Sequence, residues 1–128
     1  MSYLIDTNAW IRFFEGSEDF GTNAKSVMVD APQLCFISTA SVWEAAIKLG
    51  LGKLVLPYDL KVDLPKLIMQ NGFQHVGIDF GDAVEAKDQP RIHGDPFDRI
   101  QAIQAQRRDW QVISSDPIFE DYGLKRVW

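Results

Sequence analysis

The sequence is short of several things that would narrow its function. It holds one cysteine, Cys35, so no disulfide can close within the chain and no cysteine pair offers the spacing of a zinc site. Cys35 stands in the apolar run Leu34-Cys35-Phe36-Ile37, the setting of a buried thiol, and this suits a reducing cytoplasm. No apolar run approaches the roughly 20 residues of a membrane span. The first residues, with Asp6 and Arg12 among them, lack the basic-then-apolar layout of a signal peptide, so an untargeted, soluble, cytoplasmic protein is expected. There is no glycine-rich phosphate loop, internal repeat, low-complexity tract or linker-like stretch. Basic charge is also scarce: 13 Lys and Arg face 18 Asp and Glu, and the net charge of -5 weighs against a general polyanion binder. What remains is apolar material, 46% of 128 residues, enough for one compact domain spanning 1–128.

Hydrophobic periodicity organises that material. Residues 2 to 5 read as a short buried strand, and Trp10, Phe13 and Phe14, at i, i+3 and i+4, read as the core stripe of a helix ending near Gly16. A second helix is expected at about 20–30 and a strand at Leu34 to Ile37. Ser38-Thr39 opens a helix with Trp43, Ala46, Ile47 and Gly50 on one side. Beyond a loop around Pro57 come a helix at 64–71, a strand near 75–78 and helices near 80–87 and 96–108. Two last strands, Gln111 to Ser114 and Leu124 to Val127, follow. Alternating strands and helices imply an α/β sandwich with a mostly parallel sheet, and in such sheets ligands bind beyond the carboxyl ends of the strands.

Several acids fall where strands end. Asp6 follows Leu4-Ile5 and precedes a helix, so helix capping accounts for it at a worth of about 1 kcal/mol. Ser41-Val42-Trp43-Glu44 matches the S-x-x-E capping box. If the helix opens instead at Ser38 or Thr39, Glu44 lies a full turn inside it, beside Ala40, Ile47 and Leu51. A carboxylate on that half-buried edge needs a partner. In His93-Gly94-Asp95-Pro96-Phe97-Asp98-Arg99 the order of acid, proline and acid is how a helix begins, and Asp95 reads mainly as the cap. Asp98 shares its helical face with the small Ala102 and Ala105, so it points inward. Asp116 closes the strand Val112-Ile113-Ser114 ahead of Pro117, where a capping role again suffices.

Each acid has a structural explanation, yet Asp6, Glu44, Asp98 and Asp116 share one expected edge of the sheet. Two carboxylates ~4 Å apart repel by about 1 kcal/mol in water and about 4 kcal/mol near a protein surface, so four together call for a cation. Oxygen ligands without a Cys or His cluster point to Mg²⁺ or Mn²⁺ rather than zinc. His75 and His93 read as surface or supporting residues.

With these residues assembled, the chain resembles the PIN domain, and more narrowly the VapC-type toxin ribonucleases of bacterial toxin-antitoxin pairs. The resemblance rests on LIDTNAWI, ISTASVWEAAIKLGLGKLVLP, HGDPFDRIQAIQAQ and VISSDPIFEDYGLKRVW, in that order. Ile100-Gln101 is more polar than the apolar pair the family leads one to expect after DPFDR. The resemblance implies a three-layer α/β/α sandwich and makes Asp6, Glu44, Asp98 and Asp116 the catalytic and metal-binding acids. Ser115 is then the hydroxyl that assists the metal site, with Thr7, Asn8 and Asp95 in support. It further implies metal-dependent endonucleolytic cleavage of RNA, tRNA among the candidate substrates, together with a homodimer and inhibition by a cognate antitoxin protein. One or two Mg²⁺ would activate a water against the scissile phosphate, giving 5′-phosphate and 3′-hydroxyl ends.

The resemblance also answers the charge objection. Four acids contribute -4 and two Mg²⁺ return +4, so the loaded protein carries about -1. Lys48, Arg91, Arg99, Arg107 and Arg108 are then available for the RNA backbone, although solvated helix faces explain them equally well. Three other readings stay open: a PIN nuclease acting on DNA or in RNA maturation, a catalytically dead PIN-like module, and a phospho-accepting receiver domain. The receiver reading lacks its acidic pair after the first strand, where Asp6 is followed by Thr7-Asn8, and its late lysine.

Overall fold

The computed structural model describes residues 1–89, 92 and 94–128; Arg91 and His93, two of the residues weighed above, lie outside them. The strands are β1 (Tyr3–Ile5), β2 (Cys35–Ser38), β3 (Gln74–Val76), β4 (Gln111–Ile113) and β5 (Arg126–Val127). The helices are α1 (Thr7–Glu15), α2 (Thr22–Asp30), α3 (Thr39–Gly50), α4 (Asp63–Gln70), α5 (Phe80–Glu85), α6 (Pro96–Arg108) and α7 (Ile118–Asp121). All strand pairs are parallel, in the order β3-β2-β1-β4-β5. From β1 the chain builds outward first to one side and, after β3, to the other. The carboxyl ends of β1 and β4 therefore flank the point where strand order reverses, which is where such sheets leave a crevice.

Register sorts the core into two layers. Ile5, Ile37 and Ile113 are direct neighbours across three strands and face one side of the sheet, and Leu4, Phe36 and Val112 face the other. The first row meets Trp10 of α1, Ala24 and Met28 of α2 and Leu64 of α4, with Cys35 buried among them. The second row meets Ala102 and Ala105 of α6, Phe119 of α7 and Tyr122. Two helical layers around a parallel sheet make the three-layer α/β/α sandwich. Trp10 is fully buried, Phe13 packs edge-on against Phe20 and Phe73, and Phe14 meets Phe73 at a tilt, so the first stripe is core as its spacing suggested.

The α3 stripe is a correction. Trp43, Ala46, Ile47 and Gly50 face outward, and the inward face is Ala40, Ser41, Glu44 and Ala45. Small and polar residues lie inside because α3 packs closely on α1 and α6, and because Ser41 accepts a hydrogen bond from the Trp10 indole (2.9 Å) while donating to the Ser38 carbonyl (2.6 Å). A bulky stripe has no room there. Ser38, not Ser41, caps α3 through the Ala40 N–H (3.0 Å), so the capping-box reading of Glu44 falls away. The turn of 3-10 helix at Pro32–Leu34 and the single-turn α7 were not foreseen. No helix among the described residues is long and apolar enough to cross a membrane.

Candidate active site

Asp6 leaves β1 at the crevice. One carboxylate oxygen accepts from the N–H groups of Asn8 (2.7 Å) and Ala9 (3.4 Å), capping α1, and the other accepts from the Ser114 hydroxyl at the end of β4. Capping and site placement thus coexist in one side chain. Burial pushes Asp6 up to about 6 even though Ser114 and the two N–H groups favour its charged form; the charge of Glu44 adds to the rise.

Glu44, a turn inside α3, is buried and engaged at both oxygens. The Thr7 hydroxyl donates to Oε1 (2.7 Å) and Lys48, one turn further along, donates to Oε2 (2.8 Å). Gln101 of α6 is wholly buried and donates to Thr7 (3.3 Å) and to the Phe97 carbonyl (3.2 Å). Its Oε1, also buried, has no hydrogen-bond partner among the described residues.

Asp98 sits in the first turn of α6, whose cap is Asp95, which accepts from the N–H groups of Phe97 (2.8 Å) and Asp98 (3.4 Å). Burial raises Asp98 to about 7, and the charges of Asp95, Asp6, Glu44 and Asp116 add to the effect in that order. Hydrogen bonds tie the elements that carry these acids: Ser114 joins Asp6 to the Asp116 N–H, Thr7 joins the start of α1 to Glu44, and Gln101, three residues after Asp98, donates to Thr7. Asp116 is exposed; its carboxylate accepts from the Ile118 N–H (3.0 Å) just before α7, while its own N–H donates to the Ser114 hydroxyl (2.9 Å).

Among the other expected residues, Thr7 belongs to the cluster, and Asn8 is exposed with its N–H directed at Asp6. Ser115 is exposed; the hydroxyl in the crevice is that of Ser114, one residue earlier. Ser114 and Gln101 are the residues that sequence reasoning passed over. The strand period could have found Ser114, which continues the buried run of β4, and Gln101 follows Asp98 by three on the same face. Lys48 is committed to Glu44, and Arg99 lines an outer groove with Trp43, Phe97 and Ile100. Arg107 and Arg108 are both paired with Asp79 and Asp82, which neutralises much of their charge. His75 is exposed and bonded to the Thr39 hydroxyl (2.6 Å).

No three His, Cys, Asp or Glu side chains among the described residues stand, as placed, in an arrangement that holds a metal ion. The chemistry of the donors fits one nonetheless. They are carboxylate and hydroxyl oxygens, the ligands of hard divalent cations, and Asp6 and Asp98 are held toward their protonated forms by burial and mutual repulsion. A bound cation reverses that shift.

Comparison with known proteins bears on the fold and the family. The chain resembles the Salmonella typhimurium VapBC complex bound to DNA (TM-score 0.69, 16% identity, 98% of this chain and 96% of that chain covered). It also resembles Rickettsia felis VapBC2 bound to a promoter DNA fragment (TM-score 0.67, 14% identity, 100% of each chain). A Klebsiella pneumoniae toxin-antitoxin complex is similar too (TM-score 0.56, 18% identity, 91% and 88%). No curated protein matches the sequence. At these identities the structures speak for the fold, and the sequence match to the PIN domain over residues 3–125 speaks for the family. This chain belongs to the PIN domain family, whose members are generally nucleases that use divalent metals.

Proposed function

We propose that the protein is a Mg²⁺- or Mn²⁺-dependent endoribonuclease, a single PIN domain acting as the toxin of a toxin-antitoxin pair. The observation that carries this reading is the convergence of Asp6, Glu44, Asp98 and Asp116 on the crevice beyond β1 and β4, with Asp98 raised to about 7 by burial and by the charges of its neighbours. Asp6, Asp98 and Asp116 are the residues that would hold the metal, which when bound supplies an activated water and neutralises charge at a scissile phosphate. Ser114 and the first turn of α1 fix the Asp6 carboxylate. Gln101 and Thr7 hold Glu44, and the Asp95 cap sets the start of α6 and hence the position of Asp98. Cleavage with water as nucleophile and the 3′-oxygen as leaving group, which takes up a proton as it departs, leaves 5′-phosphate and 3′-hydroxyl ends. Arg99, on the groove beside α6, is a candidate for the RNA backbone. Fold likeness to toxin-antitoxin complexes supports an antitoxin partner. A DNA substrate is the second reading, because a metal-activated water can attack the phosphodiester of either polymer.

The test is incubation of purified protein with end-labelled tRNA, messenger-like RNA and DNA, with Mg²⁺ or EDTA. RNA cleavage that needs Mg²⁺ is expected. Asp98→Asn should lower it on the order of 10³-fold, because each 1.36 kcal/mol lost from a metal-stabilised transition state is tenfold. Wild-type turnover by Asp98→Asn overturns its assignment, and cleavage of DNA alone turns the reading to the second substrate.

The exposed stripe of α3 supports a homodimer. Trp43 is 58% exposed, and Phe80, at the start of α5, is 93% exposed. Trp43 and Ile78 line one outer groove together with Phe97, an exposed apolar surface of the kind that covers itself with a second copy. Sedimentation velocity at micromolar concentration should show a dimer, and a monomer throughout would remove this part of the proposal.

A further inference from the structure

Glu44 and Lys48 lie at i and i+4 on α3, a spacing at which ion pairs are common on exposed helix faces and contribute little. This pair is different in placement. The Glu44 side chain is 7% exposed, both of its oxygens are engaged, and the Lys48 ammonium reaches inward to it. The charges of Asp95 and Asp98, on the facing helix α6, act on the same ammonium. Lys48, whose side chain is 38% exposed, thus holds a positive charge at the rim of the carboxylate crevice, its ammonium turned to Glu44. A cation tied to the backbone and seated at one corner of such a site does part of what a second metal ion does, and its presence repels a second ion from that corner.

We infer that Lys48 is a built-in cation of the site: anchored on Glu44, its ammonium takes the place of a second divalent ion, leaving a single ion for Asp6, Asp98 and Asp116. Glu44 on this account positions Lys48 and is not itself a ligand. The inference rests on the metal-dependent reading above, and the test separates the two. Mn²⁺ is titrated into the metal-free protein and free ion is read by electron paramagnetic resonance, with calorimetry alongside. The wild type is expected to bind about one Mn²⁺ per chain, Lys48→Met about two, and Lys48→Arg, which keeps the charge, about one again. Melting in EDTA shows which variants are folded, and Lys48→Gln stands in if Lys48→Met is not. About two ions on the wild type, or an unchanged stoichiometry in the folded neutral variant, overturns the role of Lys48 while leaving the metal-dependent reading intact. No binding by any of the proteins overturns that reading and this inference together. A merely structural pair predicts a lower melting temperature in Lys48→Met with the ion count unchanged.

Discussion

Helix α6 has a group of carboxylates at each end, and the two groups are in opposite electrostatic states. At its C-terminal end Arg107 and Arg108 clasp Asp82, which is fully buried, at 2.6 and 2.8 Å, with Asp79 on the rim. Burial alone would raise Asp82, but Arg108, the Asp79 N–H and Arg107 outweigh it and bring it down to about 2. At the N-terminal end Asp98 is raised to about 7 and, across the crevice, Asp6 to about 6. The residue type and the helix are the same; the balance of burial, like charge and hydrogen bonding around each carboxylate differs. A buried acid matched by the chain's own arginines fastens α5 to α6, whereas acids that burial and mutual repulsion hold toward protonation are poised for a cation from outside.

Removing a carboxylate should therefore have opposite effects at the two ends. Asp82→Ala leaves two guanidinium groups without their shared partner and is expected to destabilise the protein by about 3–5 kcal/mol, a fall in melting temperature of more than about 10 °C. Its Mn²⁺ binding should persist. Asp6→Asn keeps a capping side chain but removes the strained charge, so in EDTA at pH 7.5 its melting temperature should equal or exceed that of the wild type, while metal binding is lost. Thermal melts of both variants with and without metal decide it. Loss of stability in Asp6→Asn as large as in Asp82→Ala would abolish the distinction between the two ends.

The same contrast shows what the sequence made legible. Strand exits and helix caps were readable because Leu4-Ile5-Asp6, Ser38-Thr39 and Asp95-Pro96 each carry a local signal, and those signals sufficed to bring four distant acids to one edge. Partnerships across the fold carried no such signal. Arg107 and Arg108 read as RNA contacts because nothing local announces Asp79 and Asp82, which reach them only when α5 folds back on α6. Periodicity gave the α3 helix but not its orientation. Its apolar stripe was taken for core, although the buried face is held by small residues and hydrogen bonds that a hydrophobic pattern does not register. Gln101 and Gln104 are buried for a related reason, being bonded to Thr7 and Ser38 respectively.

A smaller effect is expected in the pH dependence of the metal-free protein. Asp82, lowered in the folded state, contributes stability above its ordinary value of 3.8 that is lost as pH falls through about 2. Asp6 and Asp98, raised in the folded state, act in the other direction. Between 3.8 and about 6 or 7 the folded protein holds protons that the unfolded chain has released, so stability is lost as pH rises through that window. For Asp6 the loss is at most about 3 kcal/mol. In EDTA the melting temperature should peak just below pH 4, where the opposed slopes of Asp82 and of Asp6 with Asp98 cancel, and decline toward pH 8; saturating Mg²⁺ should flatten the decline, since a bound cation stabilises the ionised carboxylates and competes with their protons. Chemical denaturation from pH 4 to pH 8, with Mg²⁺ and with EDTA, measures both curves. A metal-free curve already flat across that range would mean that the crevice supplies its own compensation for Asp6 and Asp98. The two ends of α6 would then differ only in which residues do the compensating, and the electrostatic case for a cation at the first end would be gone.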